Sequence, residues 1–169
     1  GNITGIPNTE VVIIGAGNVA ENAARTALGL GANVKIFDNS IHRLKRLQEN
    51  LQHRVFTSTI QETVLQKALM RCDVAIGAIR GKNPSPIIVS KIMVQRMKPG
   101  AIIVDVCIDN GGCFETSELT SHEKPIFEKY GVIHYGVPNI TSRYSKTATL
   151  AISNLVSPFL LELSENGGI

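Results

Sequence analysis

The stretch VVIIGAGNVA, Val11–Ala20, is a buried-strand pattern that runs directly into a G-x-G-x-x-A motif. Gly15 permits the tight turn out of the strand, and Gly17 allows backbone N–H groups to come close to a pyrophosphate. Ala20 is small enough for the following helix to pack against the strand, so that the helix N-terminus faces the anion. The stretch therefore predicts a strand–turn–helix unit that binds the phosphates of a dinucleotide.

A second apolar run lies about 20 residues further along and ends on an acid. It comprises Val34–Phe37 and is followed by Asp38. An acid at this position accepts hydrogen bonds from the adenosine ribose hydroxyls and repels a 2′-phosphate, which favours NAD over NADP. The structural alternative is a glycine turn in a βαβ unit that binds no dinucleotide. S-adenosylmethionine enzymes are the nearest functional alternative, because they also place an acid at the end of the second strand.

The composition fits one domain with an aliphatic core. Of the 169 residues, 43% are hydrophobic and only 5% are aromatic, as expected for a parallel sheet covered on both faces. The net charge is +3, and the basic cluster His42–Arg46 is typical of a solvated helix face, so neither a nucleic-acid partner nor a membrane span is predicted. The cysteines Cys72, Cys107 and Cys113 form no CxxC pair and no ligand spacing with the four histidines. This pattern indicates reduced thiols, a cytoplasmic location and no metal site.

Strands and helices alternate along the whole chain. Short apolar runs predict strands near residues 10–14, 33–38, 54–58, 73–79, 101–108 and 132–137. Apolar residues at helical spacing predict helices near residues 18–30, 40–51, 60–71, 87–97 and 145–165. This alternation predicts an α/β fold, a Rossmann-type doubly wound parallel sheet in a single domain, with the ligand at the carboxyl ends of the strands.

Three loops at these carboxyl ends form the candidate site. The loop at 77–86 is rich in Gly and Pro, and it opens with Ala78 and Ile79, where a dinucleotide would lie over the sheet. The loop at 109–115 follows the fifth predicted strand, and the loop at 136–140 follows the sixth. All three are therefore expected to contact the cofactor.

Two aspartates near the end of the fifth predicted strand have different expected roles. Asp109 terminates the predicted strand, and the glycines of Asp-Asn-Gly-Gly allow close backbone approach. Asp109 is thus the best candidate for an acid or base beside the nicotinamide. The same tetrapeptide is equally good turn chemistry, in which Asp109 would only form a turn. Asp105, inside the strand, is expected to be a hydrogen-bonded structural residue.

Longer segments resemble bacterial alanine dehydrogenases. They are MKPGAIIVDVCIDNGGCFE at 97–115, HYGVPN at 134–139, KTATLAISN at 146–154 and the apolar stretch 155–163. The resemblance extends from the glycine motif to the last predicted helix, and it identifies residues 1–169 as similar to the NAD-binding domain of that family. In the family this domain is inserted into a second domain that holds the substrate. The substrate domain is therefore expected to be absent from this chain.

The resemblance implies a role for each matching position. The implied cofactor contacts are Gly15, Gly17, Asn18 and Val19 at the pyrophosphate, Asp38 and Arg43 at the adenosine, Ala78 and Ile79 along the cofactor, and Val106, Cys107, Ile108, Val137, Pro138, Asn139 and Ile140 around the nicotinamide. Asp109 matches the catalytic acid, which acts with a histidine of the other domain. The implied reaction is the NAD-dependent oxidative deamination of L-alanine, or a related small amino acid, to the keto acid and ammonia. This chain alone is expected to be inactive.

Two other functions stay open on the sequence. One is the NAD-binding part of a proton-translocating transhydrogenase. That family has a longer segment between its third and fourth strands and usually lacks an acid at the position of Asp109, so the short stretch Arg54–Asp73 argues against it. The other is an NAD-binding sensor or assembly module with no chemistry of its own. Both this module and half of a dehydrogenase would be inactive in an assay of the isolated chain.

The last predicted helix is apolar on more than one side. Its apolar residues are Leu150, Ile152, Leu155, Val156, Phe159, Leu160 and Leu163. The stripe formed by Ile152, Leu155, Val156 and Phe159 is expected to pack in the core, and the others against another subunit or the absent domain. The helix thus predicts a homo-oligomer, with a dimer as the simplest form.

Overall fold

The computed structural model describes residues 4–79 and 84–165, with side chains described up to residue 162. The chain divides after Pro138 into two compact units, the first spanning Gly1–Pro138 and the second Asn139–Ile169. Among the described residues, no helix has both the length and the apolar character needed to cross a bilayer. Part of the predicted loop at 77–86, residues 80–83, lies outside the described residues.

Within the described residues, the first unit contains a seven-stranded sheet with helices on its faces. The strands are β1 Glu10–Ile14, β2 Asn33–Phe37, β3 Phe56–Ser58, β4 Val74–Gly77, β5 Ile102–Asp105, β6 Ile126–Lys129 and β7 Val132–Tyr135. The helices are α1 Asn18–Gly29, α2 Ile41–Leu51, α3 Glu62–Leu69 and α4 Lys91–Gln95. The strand order is β3-β2-β1-β4-β5-β7-β6, and all neighbours are parallel except β6 and β7. The order confirms the predicted doubly wound Rossmann-type sheet.

The strand β6, which the sequence did not predict, is the one antiparallel member of this sheet. A two-residue turn joins it to β7, with Tyr130 at φ +58° and Gly131 at φ +72°. Positive φ at both positions is typical of a type I′ hairpin, which usually carries Asn-Gly or Asp-Gly. A bulky residue in place of Asn or Asp hid this hairpin from sequence analysis.

The core lies on both faces of the sheet, because successive strand residues point to opposite sides. On one face the strand residues Val12, Ile14, Ala75 and Ile103 pack with Leu65, Leu69, Met93 and Val94 of α3 and α4. On the other face Val11, Ile13 and Ile36 pack with Ala20, Ala24, Leu44 and Leu47 of α1 and α2. This double cover fixes the carboxyl ends of β1, β4 and β5 relative to one another.

The second unit consists of a 3-10 helix, Ile140–Tyr144, and the helix α5, Ser145–Glu165, which contains Pro158. The stripe expected in the core is exposed instead, with exposed fractions of 62% for Ile152, 69% for Leu155, 40% for Val156 and 62% for Phe159. The second unit by itself thus leaves this stripe exposed, and packing of the stripe in a core stays a prediction. Leu163 lies beyond the described side chains.

Candidate functional site

A cleft of about 680 Å³ lies at the carboxyl ends of the central strands. Its lining residues are Gly17, Asn18, Val19, Arg43, Arg46, Ala78, Ile79, Val106, Cys107 and Asn110. The volume lies within the range of sites for small molecules and cofactors. The structure therefore brings most of the residues predicted for the cofactor to one place, as the rule for doubly wound sheets requires.

The two glycines of the motif have different surroundings. Gly15 has φ +116°, and a Cβ there would lie 2.3 Å from the carbonyl oxygen of Ala78, so this turn has no room for a side chain. A Cβ on Gly17 would meet nothing within 4 Å. Gly17 is also the N-cap of α1, and no side chain caps the helix there. The helix therefore presents its first N–H groups to an open side of the cleft, an arrangement suited to an anion.

The carboxylate of Asp38 is hydrogen-bonded to the glycine turn. Asp38 is only 4% exposed, and its Oδ2 accepts a hydrogen bond from the N–H of Ala16 at 2.8 Å. Its Oδ1 accepts from the N–H of Ser40 at 2.7 Å and pairs with the Arg43 guanidinium at 3.0 Å. Asp38 is not among the residues that line the cleft. The contact of its carboxylate with ribose stays a prediction, for which Oδ2 has acceptor capacity because, among the described residues, it accepts only the hydrogen bond from Ala16.

Asp109 lies outside the strand in which it was predicted. The strand β5 ends at Asp105, and Asp109 belongs to a 3-10 helix, Ile108–Asn110, that follows it. The prediction that Asp109 terminates the fifth strand is therefore wrong. Asp109 is exposed and lines a second concavity of about 570 Å³. The next residue, Asn110, lines the cofactor cleft itself.

Asp105 is the last residue of β5, and its side chain accepts a network of hydrogen bonds from the loop that follows. Its Oδ1 accepts from the N–H of Cys107 at 3.1 Å. Its Oδ2 accepts from the N–H of Cys113 at 2.9 Å, the N–H of Phe114 at 3.3 Å and the hydroxyl of Ser117 at 2.7 Å. The expectation of a hydrogen-bonded structural residue is confirmed.

Gly112 leaves room for the carboxylate of Asp105. Its φ is +77°, and a Cβ there would lie 2.6 Å from Asp105 Oδ2. The close backbone approach expected from the two glycines beside the cofactor stays a prediction.

The residues predicted around the nicotinamide do not all line the same cavity in the structure. Val106 and Cys107 line the cleft, whereas Ile108 and Pro138 line the concavity of Asp109. Val137 is 1% exposed and belongs to the core. Asn139 and Ile140 belong to the second unit. Their contacts with a cofactor stay predictions.

Two lining residues were missed by sequence analysis, Arg46 and Asn110. Arg46 lies three positions after Arg43 on α2, so both side chains lie on the same helix face. That spacing was visible in the sequence, but the segment His42–Arg46 was interpreted as a purely solvated face. Asn110 lies in the loop at 109–115 of the predicted site, but it was not singled out within that loop.

Comparisons with known proteins agree with this geometry. Residues 1–169 match the family model described as "Alanine dehydrogenase/PNT, C-terminal domain". Alanine dehydrogenase of Halomonas elongata is 41% identical over 166 residues, which cover 98% of this chain and 45% of that protein.

Solved structures of two related proteins have the same fold as this chain. A structure of L-alanine dehydrogenase matches with a TM-score of 0.92 at 39% identity, covering 98% of this chain and 46% of the other. The transhydrogenase from Sinorhizobium meliloti matches with a TM-score of 0.79 at 27% identity, covering 94% and 46%. The chain thus spans about half the length of the relatives that it matches.

Proposed function

The chain belongs to the alanine dehydrogenase/PNT C-terminal domain family, and from this premise we propose that it is the NAD-binding domain of an NAD-dependent alanine dehydrogenase. The reaction is the oxidative deamination of L-alanine to pyruvate and ammonia. The observation that carries the proposal is the open cleft at Gly17, where the uncapped N-terminus of α1 faces a space that a Cβ would enter freely.

In this proposal the dinucleotide extends along the cleft at the carboxyl ends of β2, β1, β4 and β5. Its pyrophosphate lies against Gly17 and the first N–H groups of α1, which favour an anion. Arg43 and Arg46 add positive charge on the adenosine side, and Ala78 and Ile79 supply an apolar wall. When bound, the nicotinamide supplies the hydride acceptor of the reaction. The chain's own residues bind and orient it.

Asp109 is the proposed acid–base residue of this half of the active site. It is exposed, and its neighbour Asn110 lines the cleft, so a carboxylate lies one residue from the proposed nicotinamide end. Its task is to exchange a proton with the amine or imine of the substrate. In this proposal the partner histidine and the groups that hold the amino acid belong to a substrate domain outside residues 1–169.

The proposal includes a homo-oligomeric protein in the cytoplasm. Leu155 and Phe159 of α5 are 69% and 62% exposed, which supports a further packing surface on that helix. All three cysteines are free, as is usual for cytosolic proteins. No contact with nucleic acid or membrane is part of the proposal.

Replacing Gly17 tests the proposal without disturbing the fold. The backbone of Gly17, at φ −88° and ψ −173°, suits any L-residue, and its Cβ direction is open. Gly17→Val therefore puts a side chain into the proposed pyrophosphate site while leaving the core untouched. We expect calorimetry to show at least a tenfold loss of NAD affinity, about 1.4 kcal/mol, with the melting temperature unchanged.

Gly29→Ala at the end of α1 is the matched control, because a Cβ there also meets nothing within 4 Å but lies away from the cleft. Its NAD affinity should equal that of the unaltered chain. Equal NAD binding by the Gly17→Val protein and the unaltered chain would overturn the proposal.

A further inference from the structure

Two buried thiols and a buried carboxylate converge beside the cofactor cleft. Ligand atoms of Asp105, Cys107 and Cys113 all lie within 4.8 Å of one another. The distance between Cys113 Sγ and Asp105 Oδ1 is 3.9 Å. The six-residue spacing of the two cysteines matches no common metal motif, which is why the sequence predicted no metal site. The turn after β5 brings them together.

These distances suit a tetrahedral ion. Zinc lies about 2.3 Å from a thiolate sulfur and about 2.1 Å from a carboxylate oxygen, so neighbouring ligand atoms are roughly 3.6–3.8 Å apart. The 3.9 Å between Cys113 Sγ and Asp105 Oδ1 is close to that range. All separations among the three ligand atoms are within 4.8 Å, so binding would draw the three atoms closer together.

The two carboxylate oxygens of Asp105 accept different numbers of hydrogen bonds. Oδ2 accepts three hydrogen bonds, from Cys113, Phe114 and Ser117. Oδ1 accepts one backbone hydrogen bond, from Cys107, and a long one from the Cys113 thiol, which is released when that thiol loses its proton. Oδ1 therefore retains the capacity to bind a cation, while the bonds to Oδ2 orient the carboxylate as outer-shell partners orient a metal ligand.

The charges of the three groups also fit a cation. The N–H of Ile79 donates to Cys107 Sγ at 3.1 Å, and the Cys107 thiol lies 3.2 Å from the carbonyl oxygen of Ile79, to which it donates. A divalent cation would balance the negative charge of two thiolates and a carboxylate, which burial otherwise makes costly.

We propose that Cys107, Cys113 and Asp105 form a binding site for one soft divalent cation, such as Zn²⁺. Cys107 lines the cleft, so the cation enters from that side and a water molecule or a ligand in the cleft completes its coordination. Binding forms two metal–sulfur bonds and one metal–oxygen bond, and the thiol protons pass to solvent.

Cadmium is a direct probe of this site, because thiolate ligation produces an ultraviolet charge-transfer band. Titration of the chain with Cd²⁺ under a phosphine reductant, which excludes disulfides, should saturate the band at one ion per chain. Competition with a chromophoric chelator then gives the Zn²⁺ affinity. Cys107→Ser and Cys113→Ser should each halve the band and weaken Zn²⁺ binding at least about 100-fold, since loss of an outer-shell partner alone costs roughly 10–100-fold.

Cys72→Ser is the matched control, because Cys72 is equally buried and its thiol donates to the carbonyl oxygen of Leu69. It should leave the band and the affinity unchanged. Circular dichroism establishes that each variant is folded. Cys107 borders the cleft, where a substitution disturbs the core less than at Cys113. If Cys113→Ser does not fold, Cys107→Ser alone therefore provides the test. A wild-type Zn²⁺ affinity no greater than that of Cys107→Ser, or an equal loss in Cys72→Ser, would overturn the proposal.

Discussion

The guanidinium of Arg43 lies 3.0 Å from the carboxylate of Asp38, and the two side chains differ sharply in exposure, at 42% and 6%. The acid that is expected to select NAD is thus nearly buried, and its basic partner lines the cleft. Because Asp38 also accepts hydrogen bonds from Ala16 and Ser40, one carboxylate ties the glycine turn to the start of α2.

We predict that the chain binds NAD more tightly than NADP and that Asp38→Ala weakens NAD binding. Loss of a charge-assisted hydrogen bond to the ribose and of support for the glycine turn should cost roughly 1.5–3 kcal/mol. Calorimetry with both dinucleotides measures the change. Asp38→Asn separates the two causes, because it keeps an acceptor for Ala16 but removes the charge. Equal or tighter NADP binding by the unaltered chain would contradict the prediction, with Arg43 as the cation responsible.

We predict that Gly15→Ala destabilises the fold. The new Cβ would lie 2.3 Å from the carbonyl oxygen of Ala78 at a φ of +116°, so β1 and β4 must move apart. Backbone strain of this kind costs about 1–3 kcal/mol before any loss of packing is added. Urea unfolding measures the free energy, with Gly29→Ala as the control that should be neutral or slightly stabilising. Equal unfolding free energies for Gly15→Ala and the unaltered chain would show that the turn is not constrained.

The stability of the fold should fall in mild acid because of His134. Its Nδ1 lies 3.0 Å from the carbonyl oxygen of Val132, to which it donates, so Nε2 accepts from the hydroxyl of Thr116 at 2.8 Å. Burial lowers the pKa of His134 from the ordinary 6.5. The unfolded chain therefore binds the proton more readily than the folded chain, and stability is lost as the pH falls from 6.5 toward the folded-state pKa.

Melting temperatures measured between pH 7.5 and 5.5 test this prediction. This range spans roughly one pH unit on either side of the unfolded histidine pKa. His134→Gln should show a shallower decline than the unaltered chain, whereas His53→Gln, at an exposed position, should decline equally. A decline in His134→Gln as steep as in the unaltered chain would assign the effect to other groups.

The chemistry is predicted to depend on Asp109. In the full-length protein, Asp109→Asn should lower kcat by roughly 10²–10⁴ while NAD affinity is nearly unchanged, as expected for loss of a general acid–base. Glu128→Gln on β6 is the control, because it removes an exposed carboxylate from another part of the chain. The 169-residue chain alone should bind NAD without turnover. Full activity of the Asp109→Asn enzyme would leave Asp109 as a turn residue only.

Much of the fold could be predicted from the sequence because its signals are local. The run before Gly15 has the composition of a strand covered on both faces, and the spacing from Gly15 to Asp38 fits one βαβ unit. The strand β5 was predicted too long because Ala101–Ile108 is apolar at every position except Asp105. Only the three-dimensional network around Asp105 shows that the strand ends there.

The limits of the site prediction have the same origin. Arg46 and Asn110 line the cleft through their positions in space, and the patterns that contain them, the basic cluster His42–Arg46 and the turn sequence Asp-Asn-Gly-Gly, did not assign them to the cofactor. The convergence of Cys107 and Cys113 on Asp105 likewise depends on a turn that the glycine positions permit but do not specify. Local sequence patterns do not predict such contacts between distant segments of the chain.

The hairpin β6–β7 has a consequence for how copies of this chain can meet. The sheet ends on one side with β6, four residues carrying Glu128 and Lys129, and on the other with β3, only three residues long. Short and charged edges offer few backbone groups to an incoming strand, which is how native sheets resist growth into fibres. The described edges thus disfavour association by continuing the sheet from one molecule into the next. Copies would instead meet through side chains, for which the apolar surface of α5 is available.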